Sequence, residues 1–231
     1  MTHYTLSDEK LSAVFNSEST GKAIGFNAPH PSVNSFAKRC IDIVGSLIGL
    51  FLLAILFLPI AIAIRLDSPG SIFFQQERCG VQGRRFVIRK FRSMVQNADE
   101  LKALVKNEAK GLIFKNKNDP RITRVGQFLR KTSLDEFPQF WNVLKGEMSL
   151  VGTRPPTLDE VSRYTDRHWQ RLNVKPGLTG EWQVNGRSMV TDFEAIIDLD
   201  LRYQERWSVG YDLYLIWRTI AVLFSKSSGA Y

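Results

Sequence analysis

An uncharged run of 22 residues, from Ile43 to Ile64, constrains the fold of this chain more than any other feature. As a helix it would be about 33 Å long, at roughly 1.5 Å per residue, which is enough to cross the hydrocarbon core of a bilayer. A buried helix of a soluble domain normally carries a polar face, and this run has none. We therefore predict a membrane segment. A cleaved signal peptide is disfavoured, because the preceding polar region is too long and the run exceeds the usual signal core.

Two features bear on whether this segment crosses the membrane. Pro59 lies inside it, where the missing N–H and the ring kink or break a helix. Both flanks are basic, whereas a spanning helix usually has one flank that is less basic. The pattern favours a re-entrant segment that bends at Pro59 and leaves on the side it entered, and a signal anchor with a proline kink stays the alternative. The flanking cations are Lys38, Arg39, Arg65, Arg78, Arg84, Arg85, Arg89 and Lys90.

Composition narrows the class of protein. A length of 231 residues fits one domain with an appendage, and 44% hydrophobic with 23% charged residues excludes both a disordered tail and a wholly embedded bundle. Cys40 and Cys79 form no C-x-x-C pair and no disulfide framework, so we expect a reducing compartment. His3, His30 and His168 lack metal-ligand spacing, which disfavours a zinc enzyme.

The charge is concentrated just after the membrane segment. The chain has 31 basic and 23 acidic residues, a net charge of +8, and Glu77–Lys131 alone holds 15 basic and 5 acidic residues. Such a surplus indicates an anionic partner: phosphate, nucleic acid or acidic lipid. A solvated basic face against anionic lipid and a phosphate-binding site both account for it.

Hydrophobic periodicity and turn signals predict an α+β fold that is mainly helical. Residues 1–35 are predicted to be a mobile polar tail, 36–66 the re-entrant helix, and 67–231 a cytoplasmic domain with interfacial helices. A β-hairpin is expected from Ser71–Gln76 and Arg85–Met94. The aromatic C-terminal helix reads equally well as an interfacial or a core helix. Predicted helices cover Asp99–Lys110, Val125–Lys131, Phe137–Leu144, Thr157–Leu172, Asp192–Trp207 and Leu213–Phe224.

The run from Arg130 to Gln139 places two adjacent carboxylates, Asp135 and Glu136, between a basic pair and Pro138. Near a helix N-terminus the backbone dipole favours an ionised carboxylate, and neighbouring cations act in the same direction. Such a carboxylate has the chemistry to attack a phosphoryl group, and its neighbour the chemistry to help hold Mg²⁺.

A capping box is the structural alternative for the same residues, because Ser133 stands three residues before Glu136. The chain repeats the pattern at Thr157–Glu160, where a capping box is a sufficient explanation. Pro138 distinguishes the first segment from the second. A regular helix that started at Ser133 would need a backbone N–H at residue 138, and proline has none. We therefore predict that the first helix begins later and leaves Asp135 and Glu136 at its mouth.

Three further segments carry candidate ligand-binding residues. Arg154 precedes Pro155 in a stiff turn, which suits bidentate phosphate contact. Gln183 and Arg187 lie in a turn-rich segment with the polar groups to bind a nucleotide, although such turns are weak signals alone. Asp198-Leu199-Asp200 matches the D-x-D metal motif of nucleotide-sugar glycosyltransferases. It falls in a predicted helix, where residues two apart point to different faces, so a helix surface is the favoured reading.

A series of short motifs also follows a recognisable order, each weak alone and specific as a set. Together they resemble the monotopic phosphoglycosyl transferases, or bacterial sugar transferases, over about Ser35 to Leu223, in a minimal form with a short added tail. The motifs are Lys38-Arg39 with Asp42, Lys90-Phe91-Arg92-Ser93-Met94, Asp119-Pro120-Arg121-Ile122-Thr123, Thr132-Ser133-Leu134-Asp135-Glu136-Phe137-Pro138-Gln139, Asn142-Val143-Leu144-Lys145-Gly146-Glu147-Met148-Ser149, Gly152-Thr153-Arg154-Pro155, Lys175-Pro176-Gly177-Leu178-Thr179-Gly180 and Gln183-Val184-Asn185-Gly186-Arg187.

The resemblance implies an enzyme with Asp135 as nucleophile on the β-phosphate of a UDP-sugar, and Glu136 as its partner in placing Mg²⁺. UMP would leave, and undecaprenyl phosphate would then take the sugar phosphate to give undecaprenyl-diphosphate-sugar. The resemblance also implies the cytoplasmic face of the inner membrane and a segment held in one leaflet. Homo-oligomerisation stays open. The implied phosphate and uridine contacts are Lys90, Arg121, Arg130, Arg154, Pro155, Gln183 and Arg187.

One departure and two rival functions remain. The family commonly breaks its membrane helix at Ser-Pro, whereas this chain has Leu58-Pro59. The Ser hydroxyl that could donate a hydrogen bond to a carbonyl freed by the proline is therefore missing. A non-catalytic basic protein that binds anionic lipid or nucleic acid is the main rival, although no nucleic-acid motif is present. A glycosyltransferase that uses Asp198 and Asp200 and releases UDP is the second.

Overall fold

The computed structural model describes residues 28–186 and 189–224, which form a mainly helical α+β fold with two small sheets. The described helices and strands are α1 Phe36–Asp67, β1 Phe73–Cys79, β2 Arg85–Phe91, α2 Arg124–Thr132, α3 Phe140–Lys145, β3 Ser149–Val151, α4 Leu158–Val161, α5 Asp166–Trp169, β4 Gly177–Thr179, α6 Glu181–Val184, α7 Phe193–Arg206 and α8 Val209–Phe224. Short 3₁₀ helices cover Pro31–Val33, Val81–Gly83, Glu100–Leu104, Leu134–Gln139 and Gln170–Asn173.

The predicted hairpin is confirmed, because β1 and β2 pair antiparallel in a register that joins Phe73 to Phe91 and Cys79 to Arg85. The helices predicted over residues 125–131 and 192–207 are also confirmed as α2 and α7. The second sheet is a parallel pair of three-residue strands, β3 and β4. It brings the segment after α3 beside the glycine-rich turn that precedes α6.

Two predicted helices are wrong. Residues 99–110 form only the 3₁₀ helix Glu100–Leu104, which buries none of its side chains and therefore has no core to stabilise a longer helix. Residues 157–172 are three short pieces, because a capping box at Thr165 and His168 starts a new helix inside the predicted one. Apolar spacing alone did not reveal this internal start.

Helix α1 begins at Ser35, whose side chain accepts a hydrogen bond from the N–H of Lys38, and continues through Pro59 to Asp67. The sequence predicted a break at Pro59, whereas the structure assigns one uninterrupted helix that contains the proline. Among the described residues this helix alone is long and apolar enough to cross a membrane. Only 22% of its most apolar window is buried, so it is not the core helix of a soluble domain.

Both ends of α1 are bonded to the same domain. Near its start, Lys38 is buried, and its Nζ donates to Asp212 Oδ2 at 2.6 Å and to the carbonyl of Val151 at 2.9 Å. At its end, Asp67 Oδ2 accepts a hydrogen bond from the N–H of Val125 at 2.9 Å. One face of the helix therefore lies along the domain, while large apolar side chains cover the other. They are Val44, Leu47, Ile48, Phe51, Leu52, Ile55, Leu58, Ile62 and Leu66.

Aromatic packing joins α1 to the hairpin. The rings of Phe57, Phe73 and Phe91 stack on one another with centroids 5.5 to 6.2 Å apart. Because Phe73 and Phe91 also line the cavity described below, α1 supports one of its walls. At the other end of the chain, α8 buries Leu215 and exposes Trp217 and Ile220, which makes it amphipathic.

Part of the tail predicted for residues 1–35 packs on the domain. The backbone N–H of His30 donates to the carbonyl of Asn173 at 3.0 Å, and the His30 ring packs edge-on against Trp207. The prediction of a mobile tail is therefore wrong for residues 28–35, and residues 1–27 lie outside the described part of the chain.

Candidate active site

A cavity of about 770 Å³ opens between the hairpin, the 3₁₀ helix Leu134–Gln139, the loop before α4 and the start of α6. This size suits a small organic ligand. Eight of the predicted site residues line it. They are Lys90, Arg121, Arg130, Asp135, Glu136, Arg154, Pro155 and Gln183.

Backbone geometry at Ser133 orients the Asp135 segment. Ser133 has φ 59°, a left-handed conformation that ends α2 and redirects the chain into the 3₁₀ helix. Its side chain makes no capping bond, and its Oγ is buried without a partner. The capping-box alternative is therefore wrong here. Asp135 is 6% exposed and lines the cavity. The predicted delay holds for the α-helix, which begins only at Phe140, but Asp135 lies within the 3₁₀ helix that begins at Leu134 and not ahead of all helical structure.

Lys90 and Glu136 form an ion pair at this wall, with Nζ 2.6 Å from Oε1. Strand alternation explains why Lys90 is available, because successive side chains point to opposite faces of the hairpin. Lys90 points inward and is half-buried, while its neighbour Arg89 is exposed. A strongly basic segment is thus divided into cations that face the cavity and cations that face outward.

Arg130 and Arg121 also reach the cavity, in different states. Arg130 donates from Nε to Ser93 Oγ at 2.9 Å, and burial holds the pKa of its guanidinium below the ordinary value although Asp135 opposes this. Arg121 is buried and donates to both oxygens of Asp119, at 2.9 and 2.6 Å. That hydrogen bonding raises the pKa of Arg121. Arg121 therefore organises the wall as one half of a buried pair.

Arg154 is held by a two-pronged ion pair with Glu160, at 2.7 and 3.0 Å. Burial acts to lower the pKa of Arg154, but the charge and hydrogen bonds of Glu160 outweigh it and raise that pKa above its ordinary value. The carbonyl of the next residue, Pro155, accepts a hydrogen bond from Arg78 Nη1 at 2.7 Å. The Arg154–Pro155 turn is therefore held in place by both Glu160 and Arg78.

Gln183 lines the cavity with one polar atom unused. Its Nε2 donates to the carbonyl of Leu178 at 3.2 Å, whereas its Oε1 is buried without a partner. An orphaned acceptor of this kind normally finds a partner in a ligand or a water. Arg187, the other candidate from this segment, lies outside the described residues.

Asp198 and Asp200 do not meet at a metal site. Asp198 is exposed and pairs with Arg167, whereas Asp200 is buried and pairs with Arg171. Neither lines the cavity. The prediction that they point to different faces of one helix is confirmed, but the surface reading is wrong for Asp200, which is 1% exposed. The D-x-D resemblance therefore carries no chemistry here.

Three cavity residues escaped the sequence reasoning. Arg78 shares the inward face of β1 with Gln76, which strand alternation would have indicated. Glu160 is the buried partner of Arg154, and nothing local in the sequence announces that pairing. Lys115 lies over the ring of Trp182 at 5.3 Å, and burial, aided by the charge of Arg154, lowers its pKa to about 8.

The carboxylates of the cavity wall are the groups able to hold Mg²⁺. The described residues contain no cluster of three or more His, Cys, Asp or Glu able to hold a metal. Mg²⁺ is commonly held by one or two carboxylates together with substrate phosphates, so a full protein cage is not required. Asp135 and Glu136 supply two carboxylates at one cavity wall, and these residues fit such an ion.

Comparison with known proteins completes the description of the site. Residues 33–226 match the family model described as Bacterial sugar transferase. The chain is 49% identical to "Galactosyl transferase CpsE" of Streptococcus agalactiae over 81% of its length, and 39% identical to "UDP-glucose:undecaprenyl-phosphate glucose-1-phosphate transferase" of Escherichia coli over 84%. It is 38% identical to "Exopolysaccharide production protein ExoY" of Rhizobium meliloti over 85%. The chain spans 42% of the length of the first two relatives and 89% of the third.

Proposed function

The chain belongs to the bacterial sugar transferase family, and from that premise we propose that it transfers a sugar 1-phosphate from a UDP-sugar to undecaprenyl phosphate. The observation that carries the proposal is the buried Asp135, which lines a cavity together with Glu136 and several cations. The names of two relatives refer to different sugars, galactose and glucose. The proposal is therefore made for the reaction class and leaves the sugar to experiment.

The reaction proceeds in two displacements at one phosphorus atom. A carboxylate oxygen of Asp135 attacks the β-phosphorus of the UDP-sugar, the bond to the bridging oxygen breaks, and UMP leaves with that electron pair. The sugar phosphate remains on Asp135 as an acyl phosphate. A phosphate oxygen of undecaprenyl phosphate then attacks the same phosphorus, the bond to Asp135 breaks, and the carboxylate is restored.

The cations of the cavity oppose the repulsion between a carboxylate and two anionic substrates. Lys90 and Arg130 stand beside Asp135 and Glu136, and are the groups proposed to contact the reacting phosphate. Arg154 and Gln183 are proposed to contact the nucleotide. Fixed cations in a partly buried site stabilise charge that moves in the transition state without reorganising.

Mg²⁺ is proposed as the cofactor, held by Asp135 and Glu136 with the substrate's phosphates. When bound, it neutralises phosphate charge and so favours departure of UMP. Glu136 already pairs with Lys90 at 2.6 Å, which keeps its carboxylate turned toward the cavity.

The lipid acceptor requires a site at the membrane, and α1 is proposed to lie in one leaflet with both ends on the cytoplasmic side of the inner membrane. The contacts of Lys38 and Asp67 with one domain support this, because a helix that crossed the bilayer would leave one end far from that domain. Phe57 links the exposed helix to the cavity wall through Phe73 and Phe91, which offers the acceptor's phosphate a short route.

The test is nucleotide release. Purified protein is incubated with Mg²⁺, undecaprenyl phosphate and a panel of UDP-sugars, and the released nucleotide is identified for the wild type and Asp135→Asn. UMP from the wild type alone is expected. UDP release, or equal UMP release by both proteins, would overturn the proposal. No nucleotide release with any donor would favour a binding protein.

Membrane topology has its own test. Single cysteines at Asn34 and Ser68, in a background that carries Cys40→Ser and Cys79→Ser, are labelled with a membrane-impermeant maleimide in intact spheroplasts and in inverted vesicles. Both positions are expected to react only in inverted vesicles. Reaction from opposite sides would show a spanning anchor.

A further inference from the structure

Gly49 lies on the buried face of α1, where the absence of a side chain admits an aromatic ring. A Cβ at this position would lie 2.4 Å from Cδ2 and Cγ of Phe140 and 2.5 Å from its Cδ1. Carbon atoms do not approach so closely, so the ring of Phe140 occupies the space that any other residue would need. Glycine inside a helix costs about 1 kcal/mol relative to alanine. The close packing of the Phe140 ring explains why glycine is present at residue 49 despite this cost in helix stability.

Phe140 follows directly on the segment that carries Asp135. It is the first residue of α3, and its backbone N–H donates to the carbonyls of Phe137 and Pro138 at the end of the 3₁₀ helix. Its ring also packs edge-on against Phe137, with centroids 5.5 Å apart. A shift of the Phe140 ring would therefore pass into the 3₁₀ helix.

The same 3₁₀ helix rests on α1 at its other end. Leu134 packs into the cluster that contains Ile60 and Ile64 of α1. The segment of Leu134–Gln139 and its successor Phe140 thus touch the membrane helix on both sides of Asp135. Through these two contacts α1 sets the position of the carboxylate between them.

We propose that Gly49 is a positioning residue for Asp135: by seating the Phe140 ring it fixes where the carboxylate stands in the cavity. The inference rests on the proposed function, because the position of Asp135 matters to a reaction only if Asp135 reacts. A pair of small residues four apart in a membrane helix ordinarily lets a second helix approach. Here the space at Gly49 is filled by the protein's own catalytic segment.

Gly45 provides the matched control, one turn earlier on α1. A Cβ there would lie 2.4 Å from Cδ1 of Leu150, but the next atoms are 3.4 and 3.5 Å away. The obstacle is the flexible tip of a leucine in β3, which can rotate aside. Alanine at Gly45 and at Gly49 improves helix propensity equally. A difference between the two variants therefore reports on what each position contacts.

The experiment measures kcat and KM for the donor in the full chain, with the UDP-sugar that the wild type uses. Gly49→Ala is expected to lower kcat about tenfold or more and to change KM for the donor less than about threefold, because a misplaced nucleophile slows reaction more than binding. Gly45→Ala is expected within about twofold of the wild type. Equal kcat in the two variants would overturn the inference.

A rescue separates positioning from damage to the fold. Phe140→Leu alone leaves part of the space beside Gly49 empty and is expected to lower kcat. Adding Gly49→Ala fills that space again and is expected to restore kcat toward the wild type. If Gly49→Ala alone fails to fold, this double variant decides: a kcat above that of Phe140→Leu supports the inference, and an equal or lower one overturns it. Absence of UMP release by the wild type would instead defeat the proposed function, and this inference with it.

Discussion

Two segments of this chain share the pattern Ser/Thr-Leu-Asp-Glu and use it in opposite ways. At Thr157 the backbone is extended, and the side chain accepts a hydrogen bond from the N–H of Glu160, which caps α4. At Ser133 the backbone is left-handed and the side chain caps nothing. The difference begins beyond the tetrapeptide, because Pro138 follows the Ser133 segment closely and has no N–H for a regular helix.

The carboxylates exchange roles between the two segments. Both aspartates line the cavity, but Asp135 is buried whereas Asp159 is exposed and pairs with Arg163 one helical turn away. Conversely, Glu136 is half-buried, and Glu160, which also lines the cavity, is buried in its pair with Arg154. One pattern thus yields the proposed reactive site in one place and a support for Arg154 in the other. The two segments differ already in the backbone of their first residue, which is left-handed at Ser133 and extended at Thr157.

The largest expected effect compares the third positions. Asp135→Asn should lower UMP release by about 1,000-fold or more, since it removes the proposed nucleophile without changing its size. Asp159→Asn should leave activity within about twofold, because an exposed ion pair contributes little. The rate of UMP release measures both. Comparable losses in the two variants would erase the distinction between the segments.

The fourth positions should separate activity from stability. Glu136→Gln is expected to lower kcat about 10- to 100-fold with little change in the free energy of unfolding, because it stands beside the reacting phosphate and its ion pair is partly solvated. Glu160→Gln is expected to lower the free energy of unfolding by about 3 kcal/mol, because it removes the buried carboxylate that pairs with the partly buried Arg154. Urea denaturation and kinetics on both variants check this, and stability loss in Glu136→Gln instead would reverse the assignment.

Acid should reveal the support role of Glu160. Burial acts to raise the pKa of Glu160, but the charge of Arg154 and its hydrogen bonds outweigh it, and the pKa lies below its ordinary 4.5. Stability from this group is therefore complete above pH 4.5 and is lost as the pH falls from there through the folded pKa. Urea midpoints between pH 6 and pH 3 should fall more steeply for the wild type than for Glu160→Gln. Parallel curves would contradict the pairing.

The smallest expected effect compares the first positions. Thr157→Ala should cost about 1 kcal/mol, the usual value of an N-cap, whereas Ser133→Ala should be close to neutral because its buried hydroxyl makes no hydrogen bond. Thermal unfolding of the two variants gives the comparison. A larger loss at Ser133 would mean that its hydroxyl is bonded after all.

Sequence reasoning reached the elements that local rules determine. The helix predicted to start late after Ser133 does so only as an α-helix, because a 3₁₀ helix that contains Asp135 and Pro138 begins at Leu134. Alternation in β2 separates Lys90 from Arg89, so the hairpin and its inward face could be predicted. The partners of the arginines could not. Arg154 meets Glu160 through tertiary packing, and no periodicity encodes which carboxylate a given cation finds.

The helices that sequence reasoning missed show the same limit. Residues 99–110 have helix-forming side chains but no core to pack on, and tertiary burial decides the outcome for a helix so short. At Pro59 the local rule predicted a break, whereas the structure assigns one helix packed along a whole domain.

The long-range contacts of Lys38 and Asp42 at the start of α1 also set an order of assembly. Lys38 is among the first described residues to leave the ribosome, while its partner Asp212 follows 174 residues later. Asp42 likewise waits 107 residues for Ser149. Because an unpaired buried charge is costly, α1 cannot complete its packing until nearly the whole chain has been made. The first of the described α-helices to be synthesised therefore completes its contacts late, and a nascent chain halted before Asp212 is expected to hold it only loosely.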